Sequence, residues 1–178
     1  MITIQAGYAL VIDDDPANRD FLERLLQTAA FKVTGAGCGA EGLKAAQAMP
    51  GLALALVDQQ LPDAPGLEVI AKLRADHPEA LLVMATMHDD RPLIDRAFAA
   101  GVDVFLVKPH GFMELYRRLK DADSNIDKLR RLIIDQYGPR PYRDPALRKT
   151  GEMKAAKPAS QDGPTPAATT LVPPSPNH

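Results

Sequence analysis

At 178 residues, 46% hydrophobic and 25% charged, the chain has the size and composition of one globular domain with an appendage, which excludes wholesale disorder; a catalytic core joined to a separate output domain is not expected. Cys38 is the single cysteine, so internal disulfides and CxxC metal or redox motifs are excluded and a reducing compartment is expected. The net charge of −2 hides an asymmetry, because residues 1–119 hold 11 basic and 16 acidic side chains whereas residues 120–157 hold 10 and 6.

Short apolar runs alternate with helical periods up to residue 120. Residues 9–12 predict a first strand, followed by Asp13, Asp14, Asp15 and Pro16, where an Asp caps a helix and Pro suits its first turn. Phe21, Leu22, Leu25, Leu26 and Ala29 then mark one helical face. Residues 32–36 predict a second strand, the glycines at 35, 37 and 39 a loop, and 40–49 a second helix. Strands follow at 52–57, 80–85 and 104–107, with helices at 66–75 and 92–100, and Gly111 opens a last helix. Continuous apolar strands separated by helices predict an α/β fold, a parallel sheet covered on both faces whose functional groups collect beyond the strands' C-terminal ends.

Phe112, Leu115, Leu119, Ala122, Ile126, Leu129, Ile133 and Gln136 recur at alternating spacings of three and four. This predicts that the last helix extends through residues 121–137, or that a separate helix starts at Ser124, with Asp127 three places on. The exposed stripe of such a helix needs a partner, either a homodimer through that helix or a groove on a target. From Gly138 onward the chain holds nine of its sixteen prolines, so 138–178 is expected to be a largely disordered tail. The extension is basic, but its aromatics are Tyr137 and Tyr142 alone and it carries no recognition motif, so nucleic acid is not expected as a partner. No run approaches the ~18 apolar residues of a membrane helix, and MITIQAGY places no Lys or Arg before an apolar stretch. A cytoplasmic protein with no membrane partner is expected.

The strand ends carry residues 13–15, Asp58, Thr86 and Lys108. Carboxylates crowded at one rim raise one another's pKa unless a cation neutralises them, and an all-oxygen set suits Mg²⁺ or Mn²⁺. An aspartate can attack phosphorus, a lysine can hold a phosphoryl oxygen and a threonine hydroxyl can donate to another. The parts suit phosphoryl transfer.

Four motifs in order, LVIDDDP, LALVDQQLPDAPG, VMATM and FLVKP, resemble those of the receiver domain of two-component response regulators, over about residues 8–120. The resemblance implies a doubly wound, flavodoxin-like, five-stranded parallel sheet in the order 2-1-3-4-5. It implies Asp58 as phosphoacceptor, Asp14 as a direct metal ligand, Asp13 as a ligand through water, and the Gln60 backbone carbonyl completing the site. Lys108 would bind the phosphoryl group. Thr86 would turn toward that group as Phe105 swings inward, and the Lys108-Pro109 peptide would be cis. A sensor histidine kinase or phosphotransfer protein would donate the phosphoryl group, and a protein target would read the surface of helix four, strand five and helix five. Such a domain phosphorylates its own aspartate and is not a turnover enzyme.

Three departures stand out. Met87 occupies a position where the family commonly has a small residue, and is expected to shield the pocket. Pro65 replaces the usual Asp or Ser before the loop glycine, and Phe105 lacks the hydroxyl of the common tyrosine. Two alternatives remain, a phosphohydrolase of the haloacid dehalogenase type and a phosphorylation-independent binding module. The first needs D-x-D-x-T/V on strand one, which Ala17 breaks; the second is disfavoured because every expected reacting residue is present. GAGCGA at 35–40 follows the second strand and puts Ala40 where the third glycine of a G-x-G-x-x-G loop would fall, so no nucleotide loop is assigned. His77, His88, His110 and His178 lack zinc-ligand spacing.

Overall fold

The computed structural model describes residues 7–121 and 128–143. Strands β1 (Tyr8–Ile12), β2 (Lys32–Ala36), β3 (Leu52–Asp58), β4 (Leu81–Thr86) and β5 (Val104–Val107) alternate with helices α1 (Pro16–Thr28), α2 (Gly39–Ala48), α3 (Gly66–Asp76), α4 (Arg91–Ala100) and α5 (Gly111–Asp121). The five strands are parallel and lie in the order β2-β1-β3-β4-β5, as the resemblance implies. Alternate strand residues serve two cores. Leu10, Ile12, Ala55 and Val57 pack with residues of α2, α3 and α4. Ala9, Val11, Leu54 and Leu56 pack with those of α1 and α5. Central strands buried on both faces are therefore apolar throughout, and polar residues begin where the strands end. Among the described residues, no helix is long and apolar enough to cross a membrane.

The sheet does not stop at β5. Leu132–Asp135 forms β6, parallel to β5, with Phe105 opposite Ile133. Gly138–Pro141 forms β7, antiparallel to β6. This corrects the expected extended helix over 121–137, since residues 132–135 form a strand; the start of the alternative separate helix, at Ser124, lies outside the described residues. The tail expected from residue 138 likewise begins with a strand; residues 144–178 lie outside the described residues. The physical reason lies in Ile133 and Ile134. Both are buried, one in each core, an arrangement that consecutive residues achieve on a strand and not on one face of a helix. Open backbone groups along β5 offered a partner that a spacing pattern cannot show. The homodimer expected through an exposed stripe loses its basis as well, because Leu129 and Ile133 are buried within the fold.

The hairpin is anchored by charge. Asp103, buried at the start of β5, accepts from Arg74 of α3 at 2.6 Å, from the Leu82 N–H at 3.0 Å and from Arg130. Arg74 also donates to the carbonyls of Gly101, Pro78 and Ala80. At the far edge, the Tyr142 N–H donates to the Arg131 carbonyl at 2.7 Å. Alternation along an antiparallel pair then directs the N–H groups of Arg140 and Gly138 toward β6 and leaves Pro139 and Pro141 in the outward-facing positions.

Ile134 is fully buried yet lies off the helical stripe read from the sequence. Ile134→Ala is expected to cost about 2–5 kcal/mol in urea unfolding, whereas an outward helical position would leave stability nearly unchanged.

Candidate functional site

The three aspartates after β1 have separate roles. Asp15 caps α1, accepting from the N–H groups of Ala17 at 2.8 Å and Asn18 at 3.3 Å, with Pro16 in the first turn. Asp13 turns inward and is buried, taking the Asp15 N–H on Oδ1 at 3.0 Å. Asp14 is exposed beside it. Arg19 of α1 donates to the Asp13 carbonyl at 2.7 Å and fixes the turn from below.

β1, β3 and β5 bring Asp13, Asp58 and Lys108 together. The Lys108 Nζ donates to Asp13 Oδ2 and Asp58 Oδ2, each at 2.7 Å. Carboxylate oxygens of Asp13, Asp14 and Asp58 lie within 4.8 Å of one another. Three carboxylates against one ammonium leave two negative charges at the rim, so the donor set fits a divalent cation that prefers oxygen. Burial pushes the Asp13 carboxyl above the usual carboxylate range, reinforced by the nearby Asp58 charge and opposed by Lys108 and the Asp15 N–H. For Lys108, burial opposes the charged form, but hydrogen bonds to Asp13 and Asp58 and their charges outweigh it, raising the pKa above the ordinary lysine value.

The neighbouring strand ends close the pocket. Thr86 is buried, and its Oγ1 accepts from the His88 N–H at 3.2 Å. The Lys108 N–H donates to the Thr86 carbonyl at 2.8 Å, and the Lys108-Pro109 peptide is cis. The Gln60 N–H donates to Asp58 Oδ1 at 3.3 Å, and its Nε2 lies 3.1 Å from the His88 Nε2. Met87, in contrast, is 67% exposed. Its side chain is turned to solvent rather than buried against the pocket. Phe105 is already fully buried. An inward swing has no outward ring to start from here, because β6 makes β5 an interior strand.

Several supporting residues escaped sequence reasoning. Pro65 leaves α3 without a side-chain cap, and the Gln59 Oε1 supplies one from a distance by accepting the Leu67 N–H at 3.2 Å. Gly66 is required because a Cβ there would collide with the Asp58 carbonyl. Asp63 receives the N–H groups of Gly39 and Ala40, each at 2.8 Å, at the start of α2. Those bonds, Ala40 first, hold the Asp63 carboxyl below its usual range. One signal was available for Asp63: GAGCGA begins a helix with no capping side chain of its own, so the cap had to come from another loop.

The response regulator receiver domain model matches residues 9–120. The chain belongs to the response regulator receiver domain family. This receiver is 35% identical over 105 residues to the transcriptional regulatory protein FixJ of Bradyrhizobium diazoefficiens, covering 58% of this chain and 50% of that protein. It is 32% identical over 116 residues to a cyclic di-GMP phosphodiesterase of Thermotoga maritima, covering 65% and 31%. Among solved structures it is similar to a CheY-like receiver domain protein of Methanospirillum hungatei, at 27% identity and a TM-score of 0.63, covering 70% of this chain and 98% of that one. A Burkholderia pseudomallei response regulator, solved with a phosphorylated aspartic acid, calcium ion and citrate, gives 27% identity and a TM-score of 0.60, covering 70% and 71%. The receiver spans 31% to 50% of the length of the two curated relatives named here.

Folding raises the Lys108 pKa, so the stability of its ion pairs is complete below the ordinary lysine value near 10.5 and is lost as pH climbs through the folded value. Lys108→Met would leave two carboxylates without their cation. Its urea-unfolding deficit is expected to be about 3–5 kcal/mol at neutral pH and to shrink relative to wild type as the solution becomes strongly alkaline.

Proposed function

We propose that Asp58 accepts a phosphoryl group from the phosphohistidine of a sensor histidine kinase or phosphotransfer protein, and that the receiver passes the resulting change to a protein target. The observation that carries this reading is the shared Lys108 ammonium, which brings Asp58 and Asp13 to one point from strands distant in sequence.

An Asp58 carboxylate oxygen attacks phosphorus, the bond from phosphorus to the donor nitrogen breaks, and the product is an acyl phosphate on Asp58. Lys108 holds a phosphoryl oxygen as its charge develops, leaving the attacking oxygen of Asp58 free. Thr86 Oγ1 releases the His88 N–H and donates its own proton to a second phosphoryl oxygen. Asp13, Asp14, Asp58 and the Gln60 carbonyl would hold Mg²⁺ or Mn²⁺, which supplies positive charge to neutralise the carboxylates and the incoming phosphoryl group. Gln60 and His88, whose side chains meet at 3.1 Å beside Asp58 and Thr86, are the residues that would govern the access of water, and therefore the lifetime of the acyl phosphate. The domain catalyses its own phosphorylation and turns over no small substrate. The phosphodiesterase name belongs to a relative that this chain matches over 31% of its length, and it is not carried over.

With Mg²⁺ and acetyl phosphate, intact-mass measurement is expected to show one added phosphoryl group, stable in acid and lost in base. Asp58→Asn should abolish the gain; undiminished phosphorylation of that variant would refute the assignment. Lys108→Met is expected to slow phosphorylation about 100- to 1,000-fold, the usual loss on removing one oxyanion-stabilising donor. Sustained turnover of a small phosphate ester by the wild type would instead identify a hydrolase.

A further inference from the structure

The chain's own β6–β7 hairpin covers the face that the site is placed to move. β6 pairs with β5, setting Ile133 opposite the buried Phe105. The segment after β7 then reaches across to α4. The Tyr142 ring lies 4.2 Å from that of Phe98, and its hydroxyl donates to Asp95 Oδ1 at 3.2 Å. The Arg91 guanidinium lies 5.4 Å from the Tyr142 ring centroid, and that of Arg131 lies 5.8 Å from Tyr142 and 5.5 Å from Phe98. Arg131 adopts φ +61°, a left-handed conformation that a side chain bearing a Cβ rarely takes, while its carbonyl accepts the Tyr142 N–H at 2.7 Å. Strain of this kind persists where surrounding contacts enforce it, and is relieved when they part.

We infer that the receiver is read in cis, with α4 holding the β6–β7 hairpin through Tyr142 and releasing it when Asp58 is phosphorylated. The inference rests on the phosphoacceptor reading of Asp58. The mechanical route is short. Thr86 Oγ1 tethers the loop leading to α4 by its bond from the His88 N–H, and Asp90 caps that helix. When the hydroxyl turns to a phosphoryl oxygen, the loop loses its tether and the first turns of α4 shift. Arg91 and Asp95, two of the Tyr142 contacts, lie on those turns. With Phe105 already inside, the shift on this face begins at α4. The immediate target of the switch is then a segment of the same chain.

Hydrogen exchange read by mass spectrometry on the full chain with Mg²⁺, with and without acetyl phosphate, tests this, with intact mass recorded on the same samples. Exchange at Leu132, Ile133, Ile134 and Asp135 should quicken in the phosphorylated chain together with that of α4. Tyr142→Phe, which keeps the ring and loses the hydroxyl bond, should speed hairpin exchange about two- to tenfold without phosphate, the equilibrium value of one net hydrogen bond. In Tyr142→Ala the hairpin should exchange fast from the start and gain nothing on phosphorylation, while α4 still responds. Unchanged or slower hairpin exchange in wild type that has gained a phosphoryl group would overturn the inference alone, as would a full hairpin response in Tyr142→Ala. Failure to gain the phosphoryl group would overturn the phosphoacceptor reading and this inference with it.

Discussion

A single buried ammonium organises the functional end of the sheet. Lys108 is almost sealed from solvent, yet it donates at 2.7 Å to carboxylates from two other strands. A charge in that position is tolerated only because its partners satisfy it, and they in turn depend on it. The consequence reaches outward: Asp13 must turn in, so Asp15 is left to cap α1 and Asp14 to face the solvent. The register of β1, β3 and β5 is therefore tied to chemistry at their ends as well as to packing between them. Removing one member disturbs all three strands, and the surplus negative charge is a standing attraction for a cation.

The central fold was legible because its physics is local and repetitive. Apolar runs such as LALALV admit burial on two faces, and each is followed by residues that terminate a strand or cap a helix. The expected starts at Pro16, Gly66 and Gly111 coincide with those observed. The gathering of Asp58, Thr86 and Lys108 at one rim of the sheet was legible for a related reason, since in a parallel sheet the C-terminal strand ends are the first positions freed from the core. What could not be read was any interaction joining distant loops. Asp63 on the start of α2 and Asp103 between Arg74 and Arg130 depend on topology, and a lone Asp in a loop carries no mark of its partner.

The extension misled for a different reason. From Phe112 to Leu119 the spacing of three and four is a genuine helix face, buried as expected. Carrying the pattern onward to Leu129 and Ile133 joined residues that are indeed buried, but by a different element. Periodicity counts apolar positions and not what surrounds them; Ile133-Ile134-Asp135 reads equally as two strand positions facing opposite cores. Deciding between the two required knowledge that β5 had an open side. The edge of a sheet is a long-range property, and it outweighed local helix propensity.

The two outward prolines of β7 set the boundary of the sheet as a polymerising surface. A β-strand edge attracts other strands because it presents donors and acceptors in register, and proline removes the donors at the positions that face outward. One side of the molecule is thus closed to strand addition from another chain. The opposite side ends at β2, whose five residues include Lys32 at the margin, and it lacks that chemical block. If partly unfolded copies of this receiver aggregate through their sheets, the growing contact should nucleate along β2 rather than β7. Variants meant to raise solubility should therefore be sought on β2, where a charge or proline would close the remaining edge.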